Sequence, residues 1–247
     1  MKTTALWTTV LAVACASPPA TQAPPATPAP ARAATAEQPQ GHHGHHGHSS
    51  PTANHRFQDP DRWSKVFDDP ERDAWQKPDA VVAALSLNPA SVVADLGAGT
   101  GYFSIRIARK VPEGKVFAVD IEPKMVAHVE ERARHESLTN VAGIVATPND
   151  PKLPAGVDVV LVVDTYHHIE DRTPYFEKVK AKLSPGGRVV IVDFKKGDLP
   201  VGPPDAHKIA PTMVQREMKA AGYQQCREWN ELPYQYVLFF GRTCDPS

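Results

Sequence analysis

The amino-acid sequence predicts an α/β fold: a doubly wound, mostly parallel sheet of seven strands, the final one antiparallel, with helices on both faces. Between residues 92 and 194, five apolar segments of strand length alternate with segments of helical character. A glycine-rich turn follows the first of these strands. Two further strand-like segments come after the last predicted helix, and they complete the count of seven.

The first predicted strand runs directly into a turn that contains three glycines. Residues 92–96 are apolar apart from Asp95, and Gly97, Gly99 and Gly101 follow at alternate positions. Glycine has no Cβ, so backbone amides at the start of the next helix can approach a ligand closely. The spacing differs from the G-x-G-x-x-G of dinucleotide-binding folds, and Asp95 would repel a pyrophosphate but could receive a cation. A nucleotide-dependent oxidoreductase is therefore disfavoured.

The second predicted strand, residues 115–120, ends in an acid. Asp120 lies 25 positions after Asp95 and comes to the sheet edge beside the glycine turn. A carboxylate at this place can accept hydrogen bonds from two neighbouring ribose hydroxyls. The alternative is an acid at the N-terminus of the helix predicted over residues 122–137, which Pro123 would open.

Three more parallel strands are predicted further along the chain. Residues 141–147 form the third strand, and Asp150 follows it in an Asn-Asp-Pro sequence that is also an ordinary turn. Residues 157–164 are a continuous apolar run, typical of a central parallel strand. Residues 183–194 contain a helix end, a Pro-Gly-Gly turn and the fifth strand.

The C-terminal part completes the sheet. Residues 208–221 have apolar side chains at helical spacing, and Gly222 is placed to cap the helix. Residues 223–229 and 234–242 then predict two strands around a Leu-Pro turn.

With Asp95 included, the glycine turn resembles motif I of the class I S-adenosylmethionine-dependent methyltransferases, and the resemblance extends over residues 72–242. It implies S-adenosylmethionine as the cofactor. The turn would hold the methionine end, Asp120 the ribose, Ile121 one face of the adenine and Asp150 its amino group. The cofactor-binding residues that the resemblance implies are Asp95, Gly97, Gly99, Gly101, Asp120, Ile121, Asp150 and Asp164.

Methyl transfer from a sulfonium needs an oriented acceptor and, where the acceptor has a high pKa, a base. Candidates after the strand ends are His167, His168, Asp193 and His207. A histidine suits proton uptake near neutral pH, and we predict His167 and His207 as the catalytic residues. The alternative for each is a helix-capping or hydrogen-bonded loop histidine.

The charge and composition of the chain indicate which kinds of partner it can bind. With 27 basic and 28 acidic residues and no basic stripe, the chain is not expected to bind nucleic acid. The compact predicted domain without an added recognition module favours a small-molecule methyl acceptor. We expect a monomer.

The N-terminus resembles an export signal. Met1 and Lys2 precede an apolar stretch over residues 5–14, which is too short to span a bilayer. Residues 11–15 resemble a bacterial lipobox that would place a lipid anchor on Cys15, although Ala12 stands where leucine is preferred. The expected location is the cell envelope or periplasm, with membrane contact only through this anchor. Simple cleavage to a secreted protein, or a misassigned start and a cytoplasmic product, are the alternatives.

A low-complexity tether is predicted over residues 17–55, rich in Pro and Ala and then in His. Its imidazoles could bind Zn, Ni or Cu, or the tract could be a solvated spacer. Metal binding here would support a second hypothesis, an envelope metal-binding lipoprotein whose methyltransferase-like domain is not catalytic. The candidate metal ligands are His42, His43, His45, His46 and His48.

The remaining boundaries follow from these segments. A signal occupies residues 1–16, an N-terminal helical cover residues 56–88 and the methyltransferase-like domain residues 89–247. Trp63 and Phe67 are four positions apart, as on one helix face. The segment resembles the cover that many class I methyltransferases have over the cofactor, and its aromatic residues could also pack against the sheet; the two interpretations are compatible. Cys226 and Cys244 could pair in an oxidising compartment, but we expect their strands to hold them too far apart.

Overall fold

The computed structural model describes residues 59–244. The predicted signal, the lipobox at Cys15, the tether and the His tract lie outside these residues. Within the described range, no helix combines the length and the apolar character that crossing a membrane requires.

A seven-stranded sheet forms the centre of the fold and confirms the predicted fold class. Its strand order is β3-β2-β1-β4-β5-β7-β6; β1 to β5 are parallel, and β7 is antiparallel to both β5 and β6. The strands are β1 (Val92–Leu96), β2 (Lys115–Asp120), β3 (Val141–Val145), β4 (Val157–Val163), β5 (Leu183–Phe194), β6 (Gln224–Trp229) and β7 (Gln235–Gly241).

Seven α-helices in the described part of the chain surround the sheet. In five of them the first residue is a proline, whose missing N–H leaves no helical hydrogen bond unmade at that position. The helices are α1 (Pro60–Phe67), α2 (Pro70–Gln76), α3 (Pro78–Ala84), α4 (Tyr102–Lys110), α5 (Pro123–His135), α6 (Arg172–Lys182) and α7 (Pro211–Ala220).

Both faces of the central strands are buried, which explains why β4 and β5 are apolar without alternation. Val160 and Ile191 belong to one apolar core with Phe176 of α6, whereas Leu161 and Val190 belong to the other core, beneath α3 and α4. The direction of winding reverses between β1 and β4. The crevice at the carboxyl ends of these strands is where open α/β sheets bind ligands.

The Pro-Gly-Gly segment lies inside β5 rather than before it. Val157 of β4 pairs with Leu183, but Val159 pairs with Arg188, so the residues between them form an irregularity in the strand. Gly186 has a φ of +78°, which glycine adopts without strain. The Pro-Gly-Gly residues therefore form a bulge within β5 rather than a turn before it.

Cys226 and Cys244 form a disulfide, and the expectation that they stay apart is wrong. The pairing of β6 with β7 shifts between Gln225 and Arg227, which takes Cys226 out of regular register. After β7 the chain folds back closely, since a Cβ on Gly241 would stand only 2.6 Å from the carbonyl oxygen of Thr243. The two Cα atoms of the cysteines consequently come within 5.1 Å.

Candidate active site

The glycine turn between β1 and α4 is held in a conformation that favours glycine at three positions. Gly97, Gly99 and Gly101 have φ values of +81°, +53° and +84°. At Gly97 the space is also closed, because a Cβ would lie 2.1 Å from the hydroxyl of Thr165. The turn beyond β1 thus contacts the segment that follows β4.

Asp95 lies behind this turn. Its carboxylate is 2 % exposed and accepts a hydrogen bond of 2.6 Å from the hydroxyl of Ser104 in α4. Burial raises the pKa of Asp95 from 3.8 to about 6, against the effect of the Ser104 hydrogen bond. Asp95 therefore ties the first turns of α4 to β1.

Asp120, at the end of β2, is bonded to the glycine turn. One carboxylate oxygen accepts a hydrogen bond from the Gly99 amide at 2.9 Å, and the other accepts one from the Glu122 amide at 2.9 Å. Burial raises the pKa of this carboxyl despite those bonds. A carboxylate oxygen can accept a second bond, so both oxygens retain capacity for ligand hydroxyls. Ile121 beside it is 52 % exposed.

The residues around the turn fit S-adenosylmethionine. Thr100, between two of the glycines, carries the one buried side-chain oxygen or nitrogen in the described part of the chain that lacks a hydrogen-bond partner. An unsatisfied buried hydroxyl is costly unless a ligand or water completes it. The glycine turn, Thr100, the oriented Asp120 and the exposed Ile121 together form a cradle with donors, acceptors and an apolar surface.

Asp150 lies in the turn after β3. It is exposed, and its carboxylate accepts a hydrogen bond of 2.8 Å from the Lys152 amide. Tyr175 of α6 lies near it: burial raises the pKa of that phenol, and the charges of Asp150 and Asp120 raise it further. The structure thus brings both acids to the same side of the crevice.

Asp164, directly after β4, is held in a closed ring of four side chains. It adopts a φ of +52° and accepts a hydrogen bond of 2.5 Å from Gln235. Gln235 accepts one of 2.9 Å from Gln76, Gln76 accepts one of 2.6 Å from Arg72, and Arg72 pairs with Asp164 at 3.5 Å. Burial raises the pKa of Asp164 to about 6, although Arg72 opposes the shift.

Helices α1 and α2 lie over the glycine turn. Trp63 and Phe67 stack with ring centroids 5.3 Å apart, and the Phe67 ring would contact a Cβ on Gly99 at 3.4 Å. Asp68 pairs with Arg132 of α5 at 3.0 Å, and Arg132 also donates to the Thr100 carbonyl at 3.2 Å. The two aromatic rings share one helix face, as their spacing predicts.

A second set of contacts attaches α2 to α4. Asp73 accepts a hydrogen bond from the Tyr102 hydroxyl and pairs with Arg106 at 3.3 Å. The guanidinium groups of Arg72 and Arg106 lie 4.3 and 4.0 Å from the centroid of the Tyr102 ring. Arg72, Gln76 and Gln235 are site residues that sequence reasoning missed, because no local motif marks them.

His167 lies in a short 3-10 turn, Tyr166–His168, that follows β4. Its Nδ1 is 3.0 Å from both carboxylate oxygens of Asp193, the penultimate residue of β5. Burial lowers the pKa of His167, but the charge and hydrogen bond of Asp193 and the charge of Asp164 outweigh burial, so the pKa is raised. Two candidates that the sequence keeps separate therefore form a pair.

His207 lies in another 3-10 turn, Asp205–His207, in the loop after β5. Lys196 pairs with Asp205 at 3.0 Å, and Asp205 also accepts a hydrogen bond of 2.6 Å from the Gly197 amide. No side-chain partner of the half-buried His207 ring is found among residues 59–244. Of the two predicted catalytic histidines, His167 is thus paired with a carboxylate, whereas His207 lies on a loop.

Metal ligands do not gather in this part of the molecule. Residues 59–244 contain no group of three or more His, Cys, Asp or Glu side chains that could hold a metal ion. The predicted Zn, Ni or Cu ligands of the His tract lie outside the described residues.

Comparison with known proteins identifies the family through a family model, and solved structures share the fold. A family model described as "Methyltransferase domain" matches residues 87–238. A solved S-adenosylmethionine-dependent methyltransferase from Aquifex aeolicus is 27 % identical, with a TM-score of 0.69 over 74 % of this chain and 97 % of that chain. Magnesium protoporphyrin IX methyltransferase from Synechocystis, 18 % identical with a TM-score of 0.57 over 74 % of this chain and 90 % of that one, shares the fold.

Curated sequences match over a shorter range. An uncharacterised methyltransferase of Mycobacterium tuberculosis is 29 % identical over 116 residues, which are 47 % of this chain and 57 % of the relative. The chain thus spans a little over half the length of that relative.

Proposed function

The chain belongs to the methyltransferase domain family, and we propose that it transfers a methyl group from S-adenosylmethionine to a small-molecule acceptor. One observation carries the proposal: the hydrogen bond from the Gly99 amide to Asp120, which joins the turn after β1 to the acid after β2. This bond joins the backbone of the turn to the carboxylate that we propose binds the ribose, at the point where the winding of the sheet reverses.

In this proposal, different residues of the site bind different parts of the cofactor. The turn from Asp95 to Gly101 holds the methionine end, and the free lone pairs of Asp120 accept the ribose hydroxyls. Ile121 covers the adenine, Asp150 bonds its amino group, and Asp164 borders the methionine end. When bound, the cofactor supplies a methyl group on a positively charged sulfur that leaves readily.

Histidines at the carboxyl edge of the sheet supply the base. His167 is the stronger candidate, since Asp193 orients its ring and raises its pKa; His207 is the second. The near-neutral charge of the chain supports a small-molecule acceptor rather than nucleic acid.

The proposed location is the cell envelope, with a lipid anchor on Cys15. The Cys226 to Cys244 disulfide supports export, because structural disulfides persist in oxidising compartments. S-adenosylmethionine is made in the cytoplasm, so an exported enzyme requires delivery of the cofactor. The His tract is proposed to bind Zn, Ni or Cu beside this activity.

Calorimetric titration of the purified full chain with S-adenosylmethionine tests the proposal. We expect saturable binding with one cofactor per chain. The matched control is Gly101→Val, which places a β-branched side chain at a φ of +84° and against Val129, and which should abolish binding. Absence of cofactor binding together with tight zinc binding would favour the metal-binding lipoprotein instead.

A further inference from the structure

We propose that the methyl acceptor is an aromatic hydroxyl, and that Asp193 is the positioning residue that holds His167 in the tautomer able to take up its proton. This inference rests on the proposed function and deepens it. It starts from the pairing of His167 with Asp193 and from the rings that lie at the same edge of the sheet.

The chain brings His167 close to the cofactor crevice. Thr165, two residues earlier, stands so near Gly97 that a Cβ there would overlap its side chain. His167 is 6 % exposed and Asp193 is fully buried, so the pair is shielded from bulk water. A base in this position is adjacent to the turn that holds the methionine end.

The orientation of Asp193 decides the tautomer. One of its oxygens also accepts a hydrogen bond of 2.8 Å from the Phe194 amide, which fixes the carboxylate in place. An ionised carboxylate only accepts, so Nδ1 of His167 must carry the hydrogen of the bond between them. In the neutral ring Nε2 is then unprotonated, and it points away from Asp193. Both contacts of the ring with Asp193 are made through Nδ1.

The charges around the ring make it a stronger base. Asp193 of β5 and Asp164 after β4 favour the imidazolium, Arg172 of α6 opposes it, and the His168 ring lies 4.2 Å away by centroids. The two carboxylates prevail. Because its pKa lies above the ordinary value for histidine, His167 can take a proton from an acceptor whose pKa is only a few units higher.

The acidity of the possible methyl acceptors then narrows the class of substrate. A carboxylic acid is already ionised at neutral pH and needs no base, whereas an aliphatic alcohol is far too weak an acid for imidazole. A phenol, with a pKa of about 10, lies within reach. Three aromatic rings also lie together near the carboxyl end of β5, where Trp75 is 5.9 Å from Phe194 and 6.4 Å from Tyr234 by ring centroids. Trp75 and Tyr234 are half-buried and can receive a planar ring.

The proposed step transfers one proton and one methyl group. The hydroxyl proton moves to Nε2 of His167, and an electron pair of the phenolic oxygen forms the new bond to the methyl carbon. The carbon–sulfur bond breaks with its pair left on sulfur, which loses its positive charge. Asp193 stabilises the imidazolium, which then releases its proton to water.

The first test is independent of cofactor and acceptor. Long-range ¹H–¹⁵N NMR of the full chain, with the His167 signals assigned by their loss in His167→Gln, should show hydrogen on Nδ1 and a pKa above that of free histidine. In Asp193→Asn the amide oxygen keeps the bond to Phe194, so the amide nitrogen donates to Nδ1 and moves the hydrogen to Nε2. The pKa should then fall. Asp158 lies at the other end of β4, and Asp158→Asn is the matched control. It should change neither the position of the hydrogen on the His167 ring nor the pKa of His167.

The second test is turnover. Release of S-adenosylhomocysteine is followed with a series of substituted phenols, with benzyl mercaptan and with benzylamine. We expect activity with phenols alone, rising with pH as His167 loses its proton, and a loss of at least about 100-fold in His167→Gln and Asp193→Asn. The Asp158→Asn variant should retain it.

Several results would overturn the proposal: a neutral wild-type ring with hydrogen on Nε2, phenol turnover unaffected by His167→Gln, or turnover of only the thiol or the amine. If Asp193→Asn does not fold, the wild-type tautomer and the His167→Gln rates still decide. Cofactor binding without turnover of any phenol overturns the acceptor class alone. Absence of cofactor binding overturns the proposed function and the acceptor class with it.

Discussion

Single side chains in the crevice are kept at a cost to stability. Asp95 and Asp164 are carboxylates whose pKa burial raises to about 6, and neither is fully compensated by its partners. Selection for stability alone would replace such groups. Their presence beside the glycine turn and beside the His167 pair agrees with a role in ligand binding.

The pH dependence of stability should report Asp95. Between its unfolded pKa near 3.8 and its folded pKa of about 6 the native state binds more protons, so its contribution to stability is lost as pH rises through about 6. Asp95→Asn should therefore raise the free energy of unfolding by about 2–3 kcal/mol at pH 7.5 and change it little at pH 4. Urea denaturation at both values measures this. An equal effect at the two pH values would contradict the assignment.

Asp120→Ala should weaken S-adenosylmethionine binding. The variant removes the acceptors of the ribose hydroxyls and the partner of the Gly99 amide, a loss of about 1.5–3 kcal/mol for bonds to a charged group. The dissociation constant measured by calorimetry should rise about 10- to 100-fold. The exposed Asp198→Ala is the control and should bind as the wild type does. Unchanged affinity in Asp120→Ala would remove the ribose role.

Helices α1 and α2 are joined to the rest of the fold mainly through polar side chains. Helices α1 and α2 are short, and in α1 no residue is buried. Their position depends on Arg72, Asp73 and Asp68, whose partners lie after β4, in α4 and in α5. The cover over the glycine turn is therefore held by ion pairs and rings rather than by a core of its own.

Arg72→Met should loosen this cover. Methionine keeps an apolar stem against the Tyr102 ring but loses the bonds to Phe67, Gln76 and Asp164. Amide hydrogen exchange over residues 60–76 should become at least about 10-fold faster, since bonds to a charged group contribute about 1.5–3 kcal/mol each. Arg109→Met, an exposed arginine paired with Glu136, is the control. Protection equal to that of the wild type would show that packing alone holds the cover.

The edge strand β6 is stabilised by a covalent link. All but one of its residues are exposed, and the disulfide joins it to the segment beyond β7 across a separation of 18 residues. By loop entropy, Cys226→Ser with Cys244→Ser should lower the free energy of unfolding by about 3 kcal/mol. Urea unfolding with and without dithiothreitol measures it. The wild type should be sensitive to the reductant and the double variant should not.

At the scale of the whole molecule, the chain combines a folded α/β domain with 58 N-terminal residues of different composition. The domain carries a methyltransferase cradle, and the N-terminal sequence resembles an export and lipidation signal. The Cys226 to Cys244 disulfide independently agrees with export, because structural disulfides persist in oxidising compartments.

Cys15→Ser should release the protein from membranes. The predicted lipid anchor is the single membrane contact that the sequence suggests, so its loss should move the chain from the membrane fraction to the soluble envelope fraction. Cell fractionation with immunoblotting measures the distribution. Recovery of the wild-type chain in the cytoplasm, with the two cysteines of β6 and the C-terminal segment reduced, would contradict export.

The sequence by itself determined the strands, the glycine turn and the place of Asp120, because each depends on neighbours within a few positions. Apolar runs predict buried strands, and the alternate glycines predict a turn whose backbone can approach a ligand closely. In the structure residues 97, 99 and 101 have positive φ. The same local reasoning placed acids and histidines at strand ends, where a parallel sheet must gather them.

Only the tertiary structure decided which of those side chains meet. Asp193 is 26 residues from His167, and Gln235 is 71 residues from Asp164. Such partners depend on the order in which the strands pair. The register shift in β6 likewise brought Cys226 to Cys244. Pairing across a sheet is set by how whole strands pack together, and no spacing along the chain encodes it.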